Sequence, residues 1–222
     1  MLIFCFCCVT LVRTYQRGEN LETVKDFFKW KYSKDFQSIE EKHCDIVKKL
    51  KWDETDVMYS FLGVYVLGLR VMYPEKFSVT KHQIRTNVGK YSINAYSNKY
   101  VRENYQRFEK LNSLKQLKKF LECYMSVGNL IPIWPGGNVH KGTVANCFDL
   151  PEVYFNKDKN RKMTTALINT YENAFLDEVI NTKNTSLDYY LNMSKEEYLS
   201  FLNDIVRVIK SREKKIYSSL LE

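Results

Sequence analysis

Residues 194–216 read SKEEYLSFLNDIVRVIKSREKKI, and this stretch sets the fold class. Ser194 followed three residues later by Glu197 is a capping box, in which each side chain satisfies a free backbone N–H at a helix start. Beyond it Tyr198, Phe201, Leu202, Ile205, Ile209 and Ile216 recur at helical spacing, so one long helix with an apolar stripe is expected. Arg207, Lys210, Arg212, Lys214 and Lys215 make its outer end strongly basic. Of these, Arg207, Lys210, Lys214 and Lys215 are the candidate nucleic-acid face.

Working back along the chain, the same periodicity returns. Thr164 to Ile180 carries Leu167, Ile168, Tyr171, Phe175, Leu176 and Val179 on one face, after a basic loop at Lys157–Lys162. Tyr100 to Tyr124 repeats the pattern, with Arg107, Lys110, Lys115, Lys118 and Lys119 opposite its apolar residues. Asp53 to Met72 reads as the most apolar and most central helix, stopped by Pro74. Gly63 and Gly68 inside it point to close packing of another element, since each costs about 1 kcal/mol relative to Ala. Gln37–Leu50 forms a further helix, and Asn20 is placed to cap one through Leu21, Val24, Phe27, Phe28 and Trp30. Residues 75–98 are mixed and polar and read as an irregular connection. With no repeat, linker or low-complexity tract, residues 1–222 are expected to form a single, mainly α domain.

Composition bounds the function. A chain of 222 residues buries a full core without a staple. Its net charge of +8 and sequence pI near 9.0 favour an anionic partner: nucleic acid, a nucleotide or an acidic protein. Six cysteines and three histidines occur, and the one C-x-x-C spacing, Cys5 to Cys8, lies in an apolar run with no His nearby, so neither a metal nor another cofactor is expected, and the thiols are expected to be reduced and cytoplasmic. Met1 to Val12 is apolar but shorter than a membrane span and lacks a basic leader. Residues 1–14 are therefore expected to be an edge strand or the product of a misplaced start, and no membrane association is expected.

One segment departs from the helical pattern. Tyr124 to Phe155, YMSVGNLIPIWPGGNVHKGTVANCFDLPEVYF, holds three of the four prolines and four of the eight glycines. Such density fixes an irregular path, because Pro locks φ and Gly permits conformations other residues avoid. Asn129, Trp134, Asn138 and Lys141 are candidate ligand-binding residues on it. The expectation is a stiffened, ordered loop, and that Asp56, Asn129, Asn138, Lys141 and Asp149 line one cleft with Trp134 in its wall. A purely structural crossing loop is the competing expectation. The segment carries no dinucleotide, phosphate-loop or nucleophile-elbow motif.

The segment resembles an uncharacterised bacterial family, a domain of unknown function. The shared element runs Tyr124, Val127, Gly128, Asn129, Ile131, Pro132, Trp134 and Pro135, then Asn138, Lys141, Gly142, Phe148, Asp149 and Leu150. An upstream element matches at Asp56, Met58, Ser60 and Phe61, and a closing one from Arg212 to Ile216. The resemblance implies an intracellular bacterial protein and no known activity. Three functions therefore stand side by side. The first is binding of nucleic acid or a nucleotide through basic faces, with Tyr for base stacking. The second is an enzyme acting on a phosphorylated or nucleotide-like substrate, with Asp56 or Asp149 as acid–base group, His140 as proton shuttle and Lys141 as anion clamp. The third is an interaction component of a defence or toxin–antitoxin system.

Overall fold

The computed structural model describes residues 21–89, 91–93, 98–137, 148–157, 160–180 and 184–221, and 61% of these are helical. The stretch 1–14, with Asn138, His140 and Lys141, lies outside the described residues. The closing helix, Lys195–Ser219, starts on the capping box expected of Ser194 and Glu197. It packs along the helix Lys115–Tyr124, the central helix Phe61–Met72 and the turn Val127–Asn129. Together with the first helix, Val24–Lys31, these elements bury one apolar cluster that runs from Leu21 to Ile216.

Several helices are shorter than their apolar spacing suggests. Thr23, not Asn20, caps the first helix through a capping box with Asp26. Gln37–Leu50 divides at His43 into Ile39–Lys42 and Cys44–Lys49. Tyr100–Tyr124 breaks into Asn98–Asn104, a 3-10 turn at Tyr105–Arg107, Glu109–Asn112 and Lys115–Tyr124. Thr164–Ile180 becomes Arg161–Thr170 and Asp177–Ile180, around a Phe175 with positive φ. Side chains fasten such breaks. Asn112 Oδ1 accepts from the Tyr65 hydroxyl while its Nδ2 donates to Tyr105 O.

The central helix begins at Phe61, capped by the Ser60 hydroxyl on Gly63 N. Residues ahead of it form strand β1 (Thr55–Val57) rather than helix, so Asp56 does not sit at a helix N-terminus. Within residues 75–98, expected to be an irregular connection, β2 (Phe77–Thr80), β3 (Gln83–Thr86) and β4 (Ser92–Ile93) form an antiparallel sheet. Its first turn is the two-residue Lys81–His82, with φ of 50° and 60°. That is the backbone of a tight hairpin turn, normally signalled by Asn-Gly, and here neither residue carries the signal. The fifth strand, β5 (Leu130–Pro132), pairs with β1 so that Asp56 faces Ile131 across the ladder. Gly68 accounts for its place in the central helix. A Cβ there would meet the Tyr198 hydroxyl at 2.4 Å, the group that donates to Val64 O at 3.1 Å.

Candidate functional site

The Pro/Gly-rich segment enters the core at Val127–Asn129 and continues as β5, with every residue from Val127 to Trp134 buried. Trp134-Pro135-Gly136-Gly137 then turns back. Gly137 N donates to Trp134 O at 2.8 Å and Gly136 has φ of 76°. Pro at the second position and a positive-φ Gly at the third are the requirements of a type II turn.

Asn129 is wholly buried and fully occupied. Its Oδ1 accepts from Tyr59 N at 3.1 Å, and its Nδ2 donates to Tyr59 O and Tyr124 O at 3.2 and 3.0 Å. Its own carbonyl accepts from Met58 N at 2.7 Å. The side-chain amide thus stands in for a peptide group and extends the β1–β5 ladder past Val57. Asn129→Ala would leave buried backbone groups at Tyr59 and Tyr124 without partners, at about 1–3 kcal/mol each. A urea midpoint shift equivalent to at least about 2 kcal/mol is expected, and an unchanged midpoint would argue against this role.

The other expected site residues scatter around the same region. Asp56 Oδ1 accepts from Val57 N at 2.7 Å. Asp56 and Asp149, both half-buried, each raise the proton affinity of the Tyr124 and Tyr154 hydroxyls, so both lie within electrostatic reach of those rings. Trp134 packs on Tyr154 and Phe155, with centroids 6.2 and 6.0 Å apart. Among the described members of the expected cleft, Asn129 serves backbone pairing and Trp134 serves core packing.

Sequence reading assigned Arg212 to the basic outer end of the closing helix, yet it is wholly buried. Its Nε and Nη2 donate to Ala174 O at 3.0 and 2.8 Å. Nη2 also reaches Leu130 O at 2.8 Å, and Nη1 reaches Gly128 O and, at 3.4 Å, Met58 Sδ. One guanidinium therefore joins the closing helix to the Val127–Asn129 turn, to β5 and to the turn at Ala174. Burial pulls its pKa down to about 10, so it stays charged at neutral pH. The signal was in the spacing: Ile205, Ile209, Arg212 and Ile216 continue one stripe at helical intervals.

The other cations at the basic outer end of that helix, Arg207, Lys210, Lys214 and Lys215, are exposed. Arg207 Nη2 lies 3.4 Å from Asp204 Oδ1, and Lys215 Nζ bonds Glu178. Alongside runs the helix Lys115–Tyr124, with Lys115, Lys118 and Lys119 exposed. The two elements lie in the same direction: Leu111 and Tyr198 meet at Gly68, and Cys123 feels the charges of Lys210 and Glu213. Lys210 thus lies within electrostatic reach of Cys123, near the end of the helix that carries Lys115, Lys118 and Lys119.

Among the described residues no group of three or more His, Cys, Asp or Glu could hold a metal ion, and no helix is long and apolar enough to cross a membrane. Cys44 and Cys123 are free thiols, and burial pushes the Cys123 thiol up to about 12. No protein-family model matches the chain, and searches of curated proteins and of solved structures returned no match.

Proposed function

We propose that this protein binds the phosphate backbone of nucleic acid across the paired helices Lys115–Tyr124 and Lys195–Ser219. The supporting observation is the packing of these two helices against each other, each with exposed lysines: Lys115, Lys118 and Lys119 on one, Lys210 and Lys214 on the other. Both lysine-bearing helices belong to a chain of net charge +8. Ammonium groups on flexible stems suit phosphate as point charges rather than base edges, so recognition is of the backbone and independent of sequence. Base stacking has little part in it. Tyr59, Tyr65, Tyr73, Tyr124, Tyr154, Tyr190 and Tyr198 are spent on the core.

The test is charge reversal at matched net charge. Lys210→Glu with Lys214→Glu is expected to weaken binding of a fluorescent DNA duplex at least about tenfold at low salt, because each lost phosphate contact also reverses a charge. Lys25→Glu with Lys29→Glu, exposed on the Val24–Lys31 helix, changes net charge equally and is expected to cost much less. Equal losses for the two pairs would overturn the assignment of the face.

A further inference from the structure

Another face of the closing helix has a different chemistry. There a cavity of about 420 Å³ opens between the closing helix and the helix Leu187–Asn192. That volume lies in the range of small-molecule sites. In a basic protein it is lined by four carboxylates, Glu152, Glu178, Glu197 and Asp204, and one guanidinium, Arg207.

These acids are not equivalent. Glu197 is held by the Ser194 cap, with its Oε2 accepting from Ser194 N at 2.8 Å. Glu178 accepts from the Ser211 hydroxyl at 3.1 Å and pairs with Lys215, and Asp204 pairs with Arg207. Glu152 is different, because it is 3% exposed and half-satisfied. Its Oε1 accepts from the Tyr59 hydroxyl at 2.9 Å, while its Oε2 is buried without a hydrogen-bond partner. The nearby Tyr190 hydroxyl spends its proton on Asn184 O at 3.0 Å. Around the carboxylate the rings of Tyr59, Phe201, Tyr190 and Tyr189 form a continuous aromatic wall, with successive centroids 6.1, 5.4 and 5.3 Å apart.

A buried carboxylate oxygen that lacks a donor, at the side of an aromatic cavity, is the complement of a protonated amine. We propose that this cavity is a binding site for a small organic ammonium ion, whose N–H groups complete Glu152 Oε2 and whose carbon body lies against Tyr59, Tyr190 and Phe201. An anionic ligand is opposed by every acid in the lining. A neutral ligand would gain the ring contacts but leave the carboxylate charge uncompensated, and the ring faces add cation–π attraction that only a cation collects. The site is independent of the lysine face and stands or falls separately from it.

Burial lifts the Glu152 carboxyl to about 7, against the bond from the Tyr59 hydroxyl that favours its ionised form. The other charged groups at the cavity are Glu197, Asp204 and Arg207 on the closing helix and Glu178 on the helix Asp177–Ile180, with Arg212 acting on Tyr59. An ammonium ion displaces the proton from Glu152, so affinity should rise as pH increases through about 7, with proton release on binding.

Calorimetric titration with tyramine and spermidine, with tyrosol as the uncharged counterpart of tyramine, tests the site. At least one of the two amines is expected to bind more tightly at pH 8 than at pH 6. Tyrosol is expected to bind at least about tenfold more weakly than tyramine, the scale of one hydrogen bond to a charged group. Glu152→Gln keeps the shape and is expected to remove amine binding by the same factor or more while raising thermal stability. Asp204→Asn, an exposed change that spares the core, should weaken binding about threefold, as an exposed charge does. Absence of binding by both amines, equal binding of tyrosol, or full affinity in Glu152→Gln would each overturn the proposal.

Discussion

Replacing Arg212 by Met is expected to cost about 3–5 kcal/mol of folding stability, the range for breaking a buried charged contact. Met matches the side chain in length and removes the cost of burying a charge, an exchange that can stabilise a protein when well-packed apolar groups replace the whole polar cluster. Here only one partner is removed. The carbonyls of Gly128, Leu130 and Ala174 would remain buried with a donor lost, at about 1–3 kcal/mol each. Arg212→Lys should fare little better, since one ammonium cannot span carbonyls on three separate segments as the planar fork does. Against a typical stability of about 5–15 kcal/mol, either change should lower the urea midpoint severely. A midpoint for Arg212→Met within about 1 kcal/mol of the native protein would show that the guanidinium is not the tie between these segments.

Gly128→Ala is expected to be comparably severe, for a steric reason. A Cβ at Gly128 would lie 2.0 Å from Ile209 O and 2.9 Å from Glu213 N, both backbone atoms of the closing helix. Ordinary overpacking costs about 1–3 kcal/mol because side chains give way. No side chain can relieve this overlap, so the helix must move off the Val127–Asn129 turn and draw Arg212 away from its carbonyls. The expected loss is at the top of that range or beyond it. Gly136→Ala is the control. With φ of 76° and nothing within 4 Å of the added methyl, it should lose only about 1–2 kcal/mol from backbone strain. Equal losses at the two glycines, measured by urea denaturation, would mean that the close helix contact is not what Gly128 provides.

Glu152 gives a stability effect that depends on pH. The unfolded chain releases this proton near the ordinary 4.5, whereas the native protein holds it to about 7. The native state therefore binds more protons between these values, and stability falls as pH rises through the window. Above about 7 the full cost is present, on the order of 3 kcal/mol. His43 works the other way below its ordinary 6.5, since burial keeps it neutral while the unfolded chain takes up a proton. Comparing Glu152→Gln with the native protein cancels that contribution. The Gln variant should be more stable at pH 8, with the advantage shrinking toward pH 5. An advantage that stays constant with pH would contradict the assignment.

How much of this was legible in the sequence depended on whether the signal was local. The closing helix announced its start through Ser194 and Glu197 and its buried face through Tyr198 to Ile216. Gly68 announced close packing, and the type II turn was implicit in Trp134-Pro135-Gly136-Gly137. The Lys81–His82 hairpin was hidden because positive φ was taken by residues that rarely adopt it. Strand β1 was hidden because its partner, β5, lies some 75 residues on, beyond the reach of periodicity. Asn129 looked functional because polar residues beside Gly and Pro suggest ligands, and Arg212 looked like one more exposed cation at the basic outer end of the closing helix. Their partners turned out to be backbone groups from distant segments, which spacing cannot reveal. The cavity at Glu152 was illegible for the same reason: its walls come from Tyr59, the helix Leu187–Asn192 and the closing helix.

The closing helix contributes to both proposed sites, the lysine face and the carboxylate-lined cavity. The most direct test of the lysine face is the salt dependence of DNA binding. The logarithm of the association constant, measured against the logarithm of salt concentration, should fall linearly with a slope of about −0.9 per phosphate contacted. Lys210→Glu with Lys214→Glu should make that slope shallower by about two contacts, on duplexes of any sequence. A native protein whose DNA affinity is indifferent to salt, or a slope unchanged in the double variant, would contradict the account.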